Sequence, residues 1–249
     1  MISSNQCFTT ILWNSLLQSY CKCGDTTTAL QLFQNIPQNL LNTRTFVIIV
    51  SGSNMNIKEV HELFKKIKSL QIPIDEYLWS SLISICGTNN DLEFLKTIYQ
   101  DMISSDQYVS TQLWNTILQA FCNCNDFKTS YLLFQNMPPI LIDTITFGIL
   151  LMGSKKEPGN LETAFELLKQ MKSMQIPIND HFWVCLVSIC ITNNNLQSLK
   201  KIHKEIIESK IMVTTMLSSA LINGYSFCGD FETAVQLFQS IPSEKMDSK

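Results

Sequence analysis

The stretch LWNSLLQSYCKCGDTTTALQLFQNIP, from Leu12 to Pro37, decides the fold of this 249-residue chain because the chain contains it three times. It returns as LWNTILQAFCNCNDFKTSYLLFQNMP from Leu113 and as LSSALINGYSFCGDFETAVQLFQSIP from Leu217. Self-similarity at a regular interval is the sequence signature of a repeat architecture.

Two other blocks fill the space between these copies, and each of them occurs twice. TFVIIVSGS at Thr45 returns as TFGILLMGS at Thr146, and EYLWSSLISIC at Glu76 returns as DHFWVCLVSIC at Asp180. The chain is therefore built from three kinds of block in a fixed order.

Every block has the pattern of two helices joined by a turn. In the first half, apolar residues follow the spacing of an amphipathic helix, as at Trp13, Leu16, Leu17 and Tyr20. A residue suited to the left-handed conformation that ends a helix then precedes an aspartate that can cap the next helix. These dipeptides are Gly24-Asp25, Asn125-Asp126 and Gly229-Asp230. The second half has helical spacing again and ends at a proline.

These boundaries predict seven helix-turn-helix repeats of 33–36 residues after a short extension at 1–9: 10–42, 43–75, 76–110, 111–143, 144–179, 180–214 and 215–247, with 248–249 as the C-terminal end. A single hairpin of this size cannot bury both apolar faces, so neighbours must stack. We predict an all-α fold, a right-handed superhelical solenoid of fourteen helices. Its tryptophans, Trp13, Trp79, Trp114 and Trp183, should be buried between helices.

Composition and charge limit the range of functions. The chain is 45% apolar and only 16% charged, and its net charge of −3 creates no positive field for a polyanion. No apolar stretch approaches the ~18 residues of a membrane span, so we expect no membrane partner. The nine cysteines lack the spacing of a secreted disulfide framework and indicate reduced thiols inside a cell.

The blocks resemble those of the pentatricopeptide-repeat family. YCKCGD at Tyr20 with ALQLFQNIP at Ala29 is similar to the short motif of that family, the blocks with QIPID at Gln71 and QIPIN at Gln175 to its standard motif, and EYLW and DHFW to its long motif. Alternation of these motifs resembles the subclass associated with organellar RNA editing. The tetratricopeptide repeat is a rival of similar period, but its W-x2-L-G-x2-Y opening occurs in none of these blocks.

The resemblance implies recognition of single-stranded RNA, one base per repeat. The implied reading pair is the residue after the first-helix aromatic together with the last residue of the repeat: Asn14 with Asn42, Val47 with Asp75, Ser80 with Ser110, Asn115 with Asp143, Gly148 with Asn179, Val184 with Thr214, and Ser219 with Asp247. The second residue of each repeat is implied to stack on a base: Ile11, Arg44, Tyr77, Gln112, Ile145, His181 and Met216. A basic residue that the family places near the end of the first helix matches at Lys22.

By the same resemblance, Asn14/Asn42 suggests a pyrimidine, Asn115/Asp143 suggests uracil, and Ser219/Asp247 suggests guanine. A simpler interpretation stands beside this one. Asn14 and Asn115 would be polar residues that face outward, and Asn42 and Asp143 would only cap the helices that follow them.

Two patterns that resemble catalytic or metal sites are interpreted as structural. Cys21-x-Cys23 and Cys122-x-Cys124 lie three repeats apart, too far for one tetrahedral zinc ion. His203-x-Glu205 matches half of a zinc deaminase motif, but no C-x-x-C follows it. We expect neither catalysis nor a cofactor.

The sequence therefore predicts a non-catalytic, sequence-selective RNA-binding protein of RNA processing or editing, with any editing enzyme supplied in trans. The resemblance implies a mitochondrion or plastid; no transit peptide is visible, and the alternative is the cytoplasm. Two other functions stay open: a protein-binding helical scaffold, and a truncated array with little RNA affinity.

Overall fold

A computed structural model describes residues 9–53, 55–105, 107–157, 159–209 and 211–240. Those residues form fourteen α-helices and no strand, so the predicted all-α fold class is confirmed. In chain order the helices are α1 Thr10–Lys22, α2 Thr26–Asn35, α3 Thr43–Gly52, α4 Ile57–Ser69, α5 Glu76–Thr88, α6 Leu92–Ser104, α7 Thr111–Asn123, α8 Phe127–Gln135, α9 Thr144–Gly153, α10 Asn160–Ser173, α11 Asp180–Thr192, α12 Leu196–Glu208, α13 Thr215–Phe227 and α14 Phe231–Gln239.

The odd-numbered helices, α1 to α13, are the first helices of the predicted repeats. Each begins at the first residue of a repeat, directly after a residue whose side chain accepts the backbone N–H of the third helical residue. These seven capping residues are Thr9, Asn42, Asp75, Ser110, Asp143, Asn179 and Thr214. Because such a cap satisfies a donor that would otherwise lack a partner, it fixes where each helix starts.

The turns inside the hairpins follow the sequence prediction. Gly24, Asn125 and Gly229 all adopt positive φ, at 77°, 56° and 82°. Asp25 and Asp230 then accept the N–H groups of the third residues of α2 and α14. The stop-and-cap interpretation is confirmed at Gly24-Asp25 and Gly229-Asp230, and at Asn125 the left-handed conformation is confirmed.

Three short 3-10 turns were not predicted: Gln38–Leu40, Pro139–Leu141 and Ser154–Lys156. Gln71 and Gln175, which follow α4 and α10, also adopt positive φ without being glycine.

The structure divides into two compact units, Met1–Asp126 and Phe127–Lys249. In the first unit, α1, α3, α5 and α7 pack on one another in succession, and the second helices pack against them. Phe33 on α2 meets the edge of the Phe46 ring on α3, with ring centroids 5.5 Å apart. Leu17, Phe46, Leu82 and Ile117 are fully buried in this core.

The second unit repeats this packing with α9, α11 and α13. Phe134 on α8 meets Phe147 on α9 at 5.4 Å, as Phe33 meets Phe46. The boundary between the units falls between the two helices of the predicted fourth repeat, and the division into seven repeats stays a prediction.

The tryptophans follow the prediction with one exception. Trp13, Trp79 and Trp183 are buried, but Trp114 is only half-buried, so the prediction was wrong for that residue. Among the described residues, no helix has both the length and the apolar character that crossing a membrane requires.

Candidate nucleic-acid interface

The second residue of each predicted repeat lies in the first turn of a first helix and is exposed in all seven cases. Tyr77 is 74% exposed and Ile11 is 75% exposed. The others are Arg44, Gln112, Ile145, His181 and Met216. Large side chains held outward at one helical position are available to stack on unpaired bases.

Beside this position, Asn14 and Asn42 belong to one hydrogen-bond network. Asn14 Nδ2 donates to Asn42 Oδ1 over 3.4 Å, and Thr45 Oγ1 donates to Asn14 Oδ1 over 2.8 Å. Asn42 Oδ1 also accepts the backbone N–H of Thr45 at 3.0 Å, while Thr45 Oγ1 accepts that of Asn42 at 3.3 Å. The structure therefore joins the predicted reading pair of the first repeat to the N-terminus of α3.

The structure contradicts the outward-facing positions predicted for Asn14 and Asn115, and it confirms the helix caps predicted at Asn42 and Asp143. Asn14 is only 5% exposed and Asn115 only 8%, so the idea that these asparagines simply face outward was wrong. A buried amide must be hydrogen-bonded, which holds its orientation. The capping role of Asn42 and Asp143 is real, because each forms a capping box with the threonine three residues later.

Asp143 has the same local geometry as Asn42. Its Oδ1 accepts the backbone N–H of Thr146 at 2.8 Å and the hydroxyl of Thr146 at 2.9 Å. Asn115 lies in the first unit and Asp143 in the second, and their action as a pair stays a prediction.

The other predicted pairs are less complete. The hydroxyl of Ser110, the predicted partner of Ser80, donates a hydrogen bond to Glu76 Oε1. Its proton is therefore not available to a base. Asp75 and Asn179 are exposed helix caps, but Val47 and Gly148 have no polar side-chain group to offer a base. Ser219 is exposed, and Asp247 lies outside the described residues.

Charge on this surface is sparse. The charged residues of the seven first helices are Lys22, Arg44, Glu76 and Asp180. Lys22 is exposed in the last turn of α1.

Most lysines lie instead on second helices, where they contact protein. Lys68 pairs with Asp101 at 3.1 Å and Lys200 with Asp230 at 2.9 Å, each linking one second helix to the next. Lys66 and Lys201 lie over the rings of Phe33 and Phe165, at 4.7 and 4.5 Å. Phosphate contact does not account for these groups.

The buried cysteines of the described part of the chain are suited to packing more than to chemistry. Cys86 and Cys190 are buried, and burial raises the pKa of each thiol to about 12. Among the described residues, no group of histidine, cysteine or acidic side chains is placed to hold a metal ion.

Thr45 and Glu76 are the site residues that sequence reasoning missed. The sequence did contain a signal for Thr45, because the motif T-x-T-F opens both α3, directly after Asn42, and α9, directly after Asp143.

Comparison with known proteins identifies the repeats. The family model described as PPR repeat matches residues 11–39, 77–106, 113–138 and 217–246. These four segments are similar to the pentatricopeptide repeat. The matched segments belong to the short and long blocks, at the N-terminus, the middle and the C-terminal part of the sequence.

Relatives with pentatricopeptide repeats cover almost the whole chain. A chloroplastic pentatricopeptide repeat-containing protein of Arabidopsis thaliana is 24% identical over 237 residues, which are 94% of this chain and 27% of that protein. A mitochondrial one from the same plant is 24% identical over 231 residues, 92% of this chain and 22% of that protein. The chain spans about a quarter of the length of these relatives.

Solved structures of pentatricopeptide-repeat proteins have the same fold. The repeat protein PPR10 in complex with an 18-nt psaJ RNA element matches with a TM-score of 0.74 at 17% identity, over 94% of this chain and 36% of that one. The PPR domain of Arabidopsis thaliana protein-only RNase P 1, in complex with tRNA, matches with a TM-score of 0.57 at 13% identity, over 87% of this chain and 98% of that one.

Proposed function

We propose that this chain binds single-stranded RNA along its first helices, one base per repeat, as a non-catalytic recognition module of organellar RNA processing or editing. The observation that supports it most is the Asn14–Asn42–Thr45 network, which holds a buried amide and an exposed cap side by side next to an outward stacking position. Any chemistry on the RNA comes from an enzyme supplied in trans.

The cap geometry refines the expected base at the first repeat. The backbone N–H of Thr45 is a donor, so the Asn42 atom that faces it must be the oxygen. The exposed Nδ2 of Asn42 is then the group offered to a base, and it is a donor. Cytosine presents an acceptor at N3 where uracil presents N3–H, so this repeat prefers cytosine over uracil.

Stacking is tested with two matched tyrosines. Tyr77 is exposed in the first turn of α5, and Tyr108, 77% exposed, lies in the loop between α6 and α7. Tyr77→Ala should weaken the binding of a seven-base RNA by about 1–3 kcal/mol, the usual worth of one stacked base, whereas Tyr108→Ala should not. A wild-type protein that binds no single-stranded RNA, or prefers duplex, overturns the proposal.

A protein-binding scaffold is the second candidate. The net charge of −3 and two exposed rings on α14, Phe231 at 67% and Phe238 at 55%, favour a protein partner. Absence of RNA binding together with stable capture of a protein ligand would support this alternative.

A further inference from the structure

A groove of about 590 Å³ crosses α3, α5 and α7 in the first unit. Hydroxyl side chains form most of its wall, and none of its lining residues carries a charge. The hydroxyls are those of Ser51, Ser80, Ser81, Ser84, Thr88 and Thr116, with Ser53 at the edge. Because Ser80 is also the predicted reading residue of the third repeat, the groove adjoins the face that the bases would contact.

Most of these hydroxyls donate their protons to the protein itself. Ser81 donates to Tyr77 O at 2.9 Å, and Thr116 donates to Gln112 O at 2.9 Å. Since the proton of Ser81 is used, Ser51 is the donor in the Ser51–Ser81 contact of 2.8 Å. A hydroxyl that has donated its proton keeps its lone pairs, so the groove offers mainly acceptors.

Hydrogen-bond acceptors in the groove favour contact with the ribose of an RNA strand over contact with its phosphates. Phosphate oxygens are charged acceptors that bind best to cations, and this groove supplies no cation. The ribose 2′-hydroxyl is neutral, and it can donate to the lone pairs of the groove. Ser84, exposed and without a hydrogen-bond partner in the described part of the chain, can in turn donate to it.

We propose that the groove on α3, α5 and α7 binds the ribose edge of the RNA strand and reads the 2′-hydroxyl groups of the nucleotides that face the second, third and fourth repeats. This inference rests on the proposed RNA binding. It adds discrimination of RNA from DNA through neutral side chains.

The test uses seven-base oligonucleotides of one sequence. One is all RNA, one has deoxyribose at the second to fourth positions, and one has deoxyribose at the fifth to seventh. We expect the second oligonucleotide to bind the wild-type chain about fivefold more weakly than the all-RNA strand, the effect of one lost hydrogen bond of about 1 kcal/mol, and the third to bind nearly as well as all RNA.

Ser84→Ala should remove most of this discrimination, while Ser104→Ala, an exposed serine on the second helix of the same repeat, should keep it. Melting temperatures show that both variants fold. Equal binding of the all-RNA strand and the strand with deoxyribose at positions two to four would overturn the inference, as would an unchanged ratio in Ser84→Ala. If the all-RNA strand fails to bind, the proposed function itself is wrong.

Discussion

Thr45 and Asn14 lie 31 residues apart in the sequence, yet the hydroxyl of Thr45 donates to Oδ1 of Asn14 over 2.8 Å, and Thr45 is fully buried. Thr45→Val keeps the shape of the side chain but leaves two partners unsatisfied: the Asn14 oxygen and the Asn42 backbone N–H. We expect the free energy of unfolding to fall by about 1–3 kcal/mol, measured by urea denaturation.

Thr45→Ser is the matched control because it retains the hydroxyl. It should preserve the base preference of the first repeat, which Thr45→Val should weaken. A valine variant with wild-type stability and selectivity would show that the hydroxyl does not position Asn14.

Asp143→Asn tests base reading separately from helix capping. Uracil N3–H donates to a carboxylate, whereas the lone pair of cytosine N3 is repelled by it. We expect the preference for uracil over cytosine at the fourth base to fall by about 1 kcal/mol. Since asparagine caps helices as well as aspartate, the melting temperature should hold.

The comparison variant is Asp143→Ala, which removes the cap as well and should cost about 1 kcal/mol of stability. If the melting temperature of Asp143→Asn falls while the uracil-to-cytosine ratio is unchanged, Asp143 acts only as a cap.

The salt dependence of RNA binding should be weak. Each phosphate neutralised on a single strand contributes about −0.7 to the log–log slope, and the first helices carry few basic residues. We expect a slope shallower than about −3. Thr88→Lys places a cation in the groove and should steepen the slope by about 0.7; a steep wild-type slope would contradict binding led by stacking.

Two helical glycines should respond oppositely to alanine. A Cβ at Gly87 on α5 would lie 2.8 Å from Ala120 Cα on α7, so Gly87→Ala forces these helices apart and should cost about 1–3 kcal/mol. A Cβ at Gly148 on α9 meets nothing within 4 Å, so Gly148→Ala should stabilise the fold by about 0.5–1 kcal/mol. Thermal or urea denaturation of both variants decides the matter; equal effects would contradict the close approach.

Stability should also fall as the pH drops below about 6.5, the ordinary pKa of histidine. Burial lowers the pKa of His203, whose Nδ1 lies 2.9 Å from Tyr225 Oη. The unfolded chain therefore binds a proton that the folded one excludes. This contribution is complete above the unfolded pKa and is lost as the pH falls through the folded pKa.

His203→Gln should flatten the change in unfolding midpoint between pH 7.5 and pH 5.5. His181→Gln, at an exposed histidine, should leave that change in place. An identical pH response in the wild type and His203→Gln would assign the effect to other groups.

Helix positions and hairpin turns were predictable because they depend on local signals. The apolar spacing around Trp13 and the Gly24-Asp25 turn each act within a few residues, and repetition of the blocks strengthens both. The left-handed Gln71 was not predictable in this way, because glutamine has no preference for positive φ and the neighbouring structure imposes it.

Only part of the candidate site could be predicted from the sequence. The family resemblance supplied the pairing of Asn14 with Asn42, but the burial of Asn14 depends on α3, a helix from the next repeat. A polar residue on a helix is ordinarily expected to face solvent. Only the packed structure shows that Thr45 supplies its partner.

Six of the proposed base-reading residues at the ends of repeats also cap the first helix of the next repeat. Asn42, Asp75, Ser110, Asp143, Asn179 and Thr214 are all drawn from the four side chains that cap helices well. Changing the RNA target of such an array is therefore constrained by helix architecture. A substitution to another residue type would change the base that is recognised but would also remove a helix cap between two repeats. The bases that the array can recognise are therefore limited to those that a capping side chain can bind.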